Sequence, residues 1–483
     1  MRKQLAIFAL GLASALAFAP FNFFWVLFIT FPLFLHQLQG VRGRAAFALG
    51  WLFGFGYFLA GLYWISAALF VDIAQFWWAV PMAAGALPMG LALFIGLAVW
   101  GAQHFSGYKR LLAFAIFWCA MEWLRGHIFT GLPWQLVAYA WVDTPFIKLA
   151  AYGGAYGLSL WAMLLVVLFA GLVRPGCKAY AAYAGLSVLL AGGYGAVLLR
   201  PAVPAGEGPL VRIVQPNIAQ TLKLDPQMRS RNLQSIIAAS LMPGTPDLVV
   251  WPETAVFYNM NDADVRQGLA HILPANAVLL TGTIRVWDEG QQRHYANSLQ
   301  AMNSKGDLLG HYDKAHLVPF GEYIPFRSLI PLQAIASGVD FTVGPGPTTM
   351  QLPGLPPFSV RICYEAIFPG MTVDQANRPE WLVNITNDGW YGQTSGPYQH
   401  FEISRLRAVE EGLPLVRAAN TGISGLVGAD GAVLQATKLG VAATIDVRLP
   451  KALPPTPYSR YGDWPFAFVL LLGIVGIAVR KEY

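Results

Sequence analysis

Charged side chains are scarce here: Asp, Glu, Lys and Arg together make up 12% of 483 residues. A soluble domain carries about a quarter, so a wholly water-exposed globule is excluded. Cysteine is scarcer still, present only as Cys119, Cys177 and Cys363, which excludes a scaffold built on disulfides. Structural zinc needs further Cys or His ligands at suitable spacing. His311 and His316 have no Cys partner near them, so no metal is expected. No glycine-rich loop has the Walker spacing, and the apolar region shows no internal repeat of the kind transporters are built from. Neither a nucleotide nor another cofactor is called for.

Apolar residues are abundant, at 55%, and unevenly placed. Apolar runs follow one another from Gln4 to about Leu199, residues 205–460 have a mixed composition, and a last run covers Trp464–Val479. Crossing about 30 Å of hydrocarbon takes around 20 helical residues. Segments near 4–19, 21–38, 45–70, 75–103, 111–129, 146–173, 178–199 and 463–479 satisfy that, so the sequence predicts eight spans. The first of them, with Arg2, Lys3 and Ala17-Phe18-Ala19, also has the outline of a signal peptide, although another apolar segment follows at once. Basic residues favour cytoplasmic loops, and they cluster at Arg2/Lys3, Arg42/Arg44, Lys109/Arg110, Arg174/Lys178 and Arg480/Lys481. These clusters alternate as a cytoplasmic N-terminus and eight spans require. The expected organisation is a membrane bundle of seven helices over 1–203, an extracytoplasmic domain over 204–452, and a C-terminal span within 453–483. Both termini then lie in the cytoplasm. The net charge of +6 belongs to this topology and gives no reason to expect nucleic acid.

That topology isolates Cys363. Cys119 falls within a span and Cys177 at a cytoplasmic helix end, so neither reaches it. A free thiol in an oxidising compartment needs a reason. In the same region short β-rich runs alternate with turns or helical stretches: "LVRIVQPN" (210–217), "DLVVWPE" (247–253), "AVLLTGTIRV" (277–286), "DLLGHYDK" (307–314), "FSVRICYE" (358–365) and "WLVNITND" (381–388). Strands alternating with helices predict an α/β layered domain. Glu253, Lys314, Cys363 and Asn387 each close one of these runs. In open α/β sheets the binding crevice lies outside the carboxyl ends of the strands. An acid, an ammonium, a thiol and an amide are thus aimed at one region. The thiol, with a pKa ordinarily about 8.5, needs a base to become a nucleophile, and an ammonium stabilises both a thiolate and an oxyanion. Taken singly, each residue also has a plain structural reading: packing, a helix cap or a solvated surface.

The set "WPET" (Glu253), "YDKAHLVPFGEYIP" (Lys314, Glu322) and "ICYE" (Cys363) resembles the Glu-Lys-Cys centre of the nitrilase, or carbon-nitrogen hydrolase, superfamily. "NDGWYG" and "RAANTGISG" add to the likeness. With "EWLRG" (122–126) and "TGLPWQLVAYA" (130–140) in the apolar region, the whole chain resembles the apolipoprotein N-acyltransferase family. The resemblance implies a nitrilase-like αββα sandwich joined to the membrane bundle, in a bacterial inner membrane with the catalytic domain on the periplasmic side. It implies Cys363 as nucleophile, Glu253 as general base and Lys314 as oxyanion support together with the backbone N–H of Tyr364. Glu322 and Glu365 are implied as further carboxylates that orient Lys314 or the thiol. The implied reaction moves an acyl chain from the sn-1 position of a phospholipid, phosphatidylethanolamine being the expected donor, through a Cys363 thioester. Its acceptor is the α-amine of a diacylated apolipoprotein, and a monomer is expected. Trp134, Asn387, Trp390 and Tyr391 are candidate substrate contacts. One position departs from the family pattern: Leu224 in "TLKLDP" stands where that pattern has Trp.

The run "YIPFRSLIPLQAIASGVDF" (323–341) is unusually apolar for a connection. Phe326, Leu329 and Ile330, with Leu332 and Ile335, are expected to line an acyl pocket as a lid, or else to form an ordinary core helix. Glu122 and Arg125 lie within a span, three residues apart. That spacing predicts a pair on one helix face, shaping the opening near Gly131–Trp134. Two rival readings are a membrane-anchored amidase that uses water and an inactive lipid-binding or transport protein.

Overall fold

The computed structural model of the chain describes residues 1–172, 179–201, 203, 206–328 and 339–479. Cys177, Arg174, Lys178, Arg480 and Lys481, and the lid candidates Leu329, Ile330, Leu332 and Ile335, lie outside the described residues. The chain forms two compact units. One comprises Met1–Pro201, Thr394–Glu410 and Pro455–Tyr483; the other comprises Ala202–Gln393 and Glu411–Pro454.

In the first unit the apolar runs fold as helices, among them Arg2–Ser14, Leu27–Gln37, Gly43–Leu62, Leu87–Ala102, Gly107–His127, Ala150–Leu172 and Trp464–Ala478. Among the described residues three helical stretches are long and apolar enough to cross a membrane: Gly43–Ala79, Met82–Ala102 and Pro145–Leu172. Shorter apolar helices cover Phe24–Gln37, Ala182–Leu198 and Trp464–Ala478. Length and apolarity together support these three spans; a count of eight is a proposal. Close packing, rather than the hydrophobic effect, drives helices together in lipid, and small residues allow it. A Cβ added at Gly11 would lie 2.1 Å from the Phe53 carbonyl oxygen, and one at Gly56 would lie 2.4 Å from that of Phe8. The helices Arg2–Ser14 and Gly43–Leu62 therefore meet backbone to backbone.

Two buried charged side chains of this unit, Glu122 and Arg125, bond irregular backbone. Glu122 Oε1 accepts from Trp118 Nε1 at 3.0 Å and from the Val137 N–H at 2.9 Å. Arg125 Nη1 donates to the carbonyl of Trp134 at 2.7 Å. Both side chains thus hold the non-helical segment after Gly131 in place. The helix Gly396–Glu411 lies in sequence among the strands, yet Thr394–Glu410 packs with the helical unit. Its polar side chains explain why. Gln399 Oε1 accepts from Trp64 Nε1 at 3.0 Å and Trp134 Nε1 at 2.8 Å. Arg405 Nη1 donates to Asp143 Oδ1 at 2.6 Å, and Glu410 Oε1 accepts from the Ala155 N–H at 2.8 Å.

The second unit is an α/β sandwich with twelve strands among the described residues: β1 (Leu210–Gln215), β2 (Leu248–Val250), β3 (Val278–Glu289), β4 (Gln292–Asn303), β5 (Leu308–Asp313), β6 (Thr349–Met350), β7 (Phe358–Ile362), β8 (Trp381–Thr386), β9 (Leu415–Ala419), β10 (Gly425–Val427), β11 (Val433–Ala436) and β12 (Ala443–Arg448). They form two six-stranded sheets, ordered β12-β1-β2-β3-β4-β5 and β11-β10-β9-β8-β7-β6. Each sheet has a parallel trio at its centre, β1-β2-β3 in one and β7-β8-β9 in the other, with antiparallel strands outside. Side-chain alternation builds the core. Ile213, Val250, Leu280 and Leu299 from one sheet share a buried cluster with Val360, Ile362, Val383, Ile385 and Val416 from the other. Burying each such side chain contributes about 1.5–3 kcal/mol. On the outer face of the first sheet, Ile236 and Leu269, from helices Arg229–Ser240 and Ala263–Ala270, cover Val249, Trp251 and Leu279.

One glycine fixes a bend in the helical unit. Gly154 sits at φ +65°, and a Cβ there would lie 2.2 Å from the Tyr458 ring. Gly154→Ala is expected to destabilise the protein by about 1–3 kcal/mol through overpacking, with more from the positive φ. Thermal unfolding in detergent checks this; an unchanged midpoint would contradict the packing described.

Candidate active site

Parallel strands deliver their carboxyl ends to the same side, so the residues that follow β2, β5, β7 and β8 are brought together. Glu253 follows β2 after Trp251-Pro252, on a segment pressed onto β3. A Cβ at Gly282 would lie 2.6 Å from the Glu253 Cα, so only glycine allows that approach. The Glu253 carboxylate is fixed at both oxygens. Oε1 accepts from Asn297 Nδ2 at 2.7 Å, and Oε2 accepts from the Asn387 N–H at 2.7 Å.

Lys314 follows β5, and its own N–H is bound by the Asn297 carbonyl at 2.8 Å. Its ammonium lies 2.9 Å from Glu322 Oε2, 3.0 Å from Glu322 Oε1 and 3.7 Å from Glu253 Oε1. Asn297 Nδ2 also donates to Glu322 Oε1 at 2.7 Å. A single amide group thereby sets both carboxylates against one ammonium. Burial works against the Lys314 charge, but Glu322, Glu253 and Cys363 outweigh it and raise the pKa above the usual lysine range. The two carboxylates thus favour the charged form of Lys314.

The nucleophile candidate closes β7 on a sharp turn. Cys363 is buried and has φ +50°, a left-handed conformation that a non-glycine residue adopts only at a cost of about 1–3 kcal/mol. Glu365 holds that turn. Its Oε2 accepts from the Ile362 N–H at 2.7 Å, while Oε1 accepts from the Ala315 and His316 N–H groups at 2.7 and 3.1 Å and from the Tyr312 hydroxyl at 2.9 Å. One carboxylate therefore ties the backbone before the thiol to the backbone after Lys314. Burial pushes the Cys363 thiol up to about 12, Glu253 adds to the rise, and Lys314 opposes it. The resting group is a thiol, and a base is required to activate it. Thr386 and Tyr391 are hydrogen-bond partners of the sulfur. Thr386 also donates to Asp388 Oδ1 at 2.9 Å, and Asp388 is paired with Arg417 at 2.8 Å, both fully buried.

Other residues singled out in the sequence fall in different places. Asn387 is buried at the centre, where its Nδ2 donates to Gln220 Oε1 at 2.8 Å. Trp390 and Tyr391 are half-buried. Tyr364 is buried, its ring edge-on to Phe368. Phe326 is 71% exposed. Trp134 belongs to the helical unit, where it is buried and committed to Gln399. Asn297 and Lys223 are members of the centre that the sequence reading missed. Lys223 is buried, and its Nζ donates to the Glu253 carbonyl at 2.7 Å. Among the described residues no cluster of three or more His, Cys, Asp or Glu is arranged to hold a metal.

Residues 10–168 match the model of the apolipoprotein N-acyltransferase N-terminal domain, and residues 210–452 match that of the carbon-nitrogen hydrolases. An apolipoprotein N-acyltransferase of Allorhizobium ampelinum is 39% identical, over 98% of this chain and 95% of the relative. The chain belongs to the apolipoprotein N-acyltransferase family. An apolipoprotein N-acyltransferase of Rhodopseudomonas palustris is 37% identical over 100% of this chain and 95% of its own. A solved amidase from Nesterenkonia sp. is similar over 52% of this chain and 93% of its own, at 22% identity and a TM-score of 0.38. As a member of the apolipoprotein N-acyltransferase family, the chain is an enzyme of lipoprotein maturation with a nitrilase-superfamily domain and membrane-spanning helices.

Four hydrogen bonds constrain the Glu365 carboxylate of this N-acyltransferase. Glu365→Gln would turn an amide N–H₂ toward at least one backbone N–H. Losing a charged hydrogen bond of this kind costs about 1.5–3 kcal/mol. A lower unfolding midpoint and a loss of turnover of at least about tenfold are expected; a variant that matched the wild type in both assays would refute the role.

Proposed function

We propose that Cys363 carries the acyl chain as a thioester between a phospholipid donor and a lipoprotein acceptor. The observation that supports this most directly is the buried Glu253–Lys314–Glu322 cluster beside a strained, protonated Cys363. The Glu253 carboxylate takes the Cys363 proton as Sγ attacks the carbonyl carbon of the sn-1 ester. Negative charge passes to the carbonyl oxygen, where the Lys314 ammonium and the backbone N–H of Tyr364 receive it. As the tetrahedral adduct collapses, the ester C–O bond breaks, and protonated Glu253 returns the proton to the departing glycerol oxygen. Lysophospholipid leaves and the thioester remains.

In the second half the α-amine of an S-diacylglyceryl-cysteine attacks the thioester carbonyl, and Glu253 accepts the amine proton. Collapse expels the Cys363 thiolate, which recovers the proton from Glu253. The product is a stable amide. Phosphatidylethanolamine is the proposed donor and a diacylated apolipoprotein the acceptor, with no cofactor in either half. Tyr391 is a hydrogen-bond partner of the sulfur, Asn387 bonds Glu253 through its N–H, and Trp390 adjoins Tyr391 in sequence; these three are the proposed substrate contacts on this unit, with Phe326 as an exposed apolar one. Trp134, in the helical unit, is a further proposed substrate contact.

For the membrane part we propose eight spans in the bacterial inner membrane, seven before residue 203 and one after 453. The domain between lies in the periplasm and both termini lie in the cytoplasm. The alternation of the basic clusters Arg2/Lys3, Arg42/Arg44 and Lys109/Arg110 supports that orientation.

Mass spectrometry of the purified full chain incubated with phospholipid tests the scheme. An added acyl mass at Cys363 is expected, discharged by a diacylglyceryl lipopeptide and absent in Cys363→Ala. No adduct in the wild type, under conditions that preserve thioesters, would overturn it. Rapid release of free fatty acid without any lipopeptide would favour a hydrolytic amidase instead.

A further inference from the structure

The short helix Gln220–Leu224 grips the catalytic centre twice from one face. At its start, Gln220 Oε1 accepts from Asn387 Nδ2 at 2.8 Å, and the N–H of Asn387 in turn donates to Glu253 Oε2 at 2.7 Å. Three residues on, Lys223 Nζ donates to the Glu253 carbonyl at 2.7 Å. Base, amide and helix form a closed ring of hydrogen bonds. Lys223 is 4% exposed, and the Glu253 carbonyl is the one hydrogen-bond partner described for its ammonium. A buried ammonium on a neutral carbonyl is costly unless anions lie close by.

The anions are present. Glu253, Glu322, Glu365 and Asp388 are buried carboxylates around Cys363. Asp388 has Arg417, and Glu365 reaches Arg361 through the Tyr312 hydroxyl, which accepts from Arg361 Nη1 at 3.1 Å. Glu322 and Glu253 share Lys314. Counted formally, those four carboxylates face three cations, and Lys223 is the fourth. We propose that Lys223 is a positioning residue of the acyl-transfer centre, holding the Glu253 backbone and supplying the positive charge that lets Cys363 ionise beside two carboxylates. The inference rests on Cys363 as nucleophile and Glu253 as base.

The charge on Lys223 is conditional. Burial lowers its pKa to about 8, against the pull of Glu253 and Cys363. A lysine whose folded pKa is lowered carries its charge below that value and loses it above. Lys314, by contrast, stays charged. The groups facing the thiol are Glu253, Lys314, Asp388, Thr386 and Tyr391, and Cys363 and Glu253 both act on Lys223; of the two lysines, Lys223 is the one whose charge changes in the mildly alkaline range.

The test is the pH dependence of Cys363 alkylation by iodoacetamide on the full chain in detergent, resolved by peptide mass spectrometry. Wild type is compared with Lys223→Met, Lys223→Gln and Lys223→Arg, and the fold is checked by thermal unfolding. In Lys223→Met and Lys223→Gln the rate is expected to fall about tenfold at pH 7, corresponding to a rise of roughly one unit in the thiol pKa. The gap should close above about pH 9, where the wild-type amine is itself neutral. Lys223→Arg should match wild type below pH 8 and exceed it above pH 9. Rates lowered equally at every pH, or an arginine variant that behaves like methionine, would overturn the proposal. If Lys223→Met does not fold, the wild-type and arginine profiles above pH 9 decide alone. Alkylation needs no lipid, so failure of the acyl-transfer reading would appear separately, as a wild type without an acyl adduct.

Discussion

The centre depends on one amide group. Asn297 Nδ2 holds Glu253 and Glu322 at 2.7 Å each, and the Asn297 carbonyl receives the N–H of Lys314. Two buried carboxylates held on one amide group repel each other. The amide gives each an N–H, and the lysine places its charge between them. With that frame in place, Glu253 remains an acceptor with a fixed orientation and Lys314 remains a cation. Glu365 then ties the Cys363 turn to the same stretch of backbone. The Cys363 turn and the Glu253 carboxylate are thus set by backbone and amide hydrogen bonds, and the Lys314 ammonium by the two carboxylates so fixed, an arrangement that suits precise positioning.

The two parallel trios explain why such a frame can be assembled from distant residues. Each strand of a trio ends on the same side, so Glu253 after β2 and Cys363 and Asn387 after β7 and β8 are delivered by strand direction alone. The antiparallel partners β4 and β5 return the chain to bring Asn297 and Lys314 to them. The hydrophobic core between the sheets fixes the register, because a slip of one residue would turn Val360 and Ile362 out of it.

Much of this was legible in the sequence. The strand-end residues Glu253, Lys314 and Cys363 stood out because each chemistry-bearing side chain closed an apolar run, and the absence of a second reachable cysteine singled out the thiol. Asn297 was not legible. In "YANSLQ" it continues a strand pattern, and only pairing with β5 shows that its amide faces inward. Lys223 was hidden for a different reason: between two leucines, a lysine reads as solvated, and burial depends on tertiary contacts. In the helical unit, apolarity marked where helices occur but not where they are irregular. The 3-10 stretch Tyr63–Asp72 runs over the end of the 45–70 segment, and the 75–103 segment contains the π-turn Met82–Ala86. Hydropathy carries no information about such departures. Nor does it reveal that Gln399, far along the chain, supplies the oxygen that two tryptophans share.

Lys223 and Leu224 are neighbours on one short helix with opposite fates, the first buried against Glu253 and the second 40% exposed. Leu224 is thus the outward member of the pair and Lys223 the inward one. A substitution at 224 would alter the surface that this helix offers to its surroundings while leaving the buried ammonium one residue away in place.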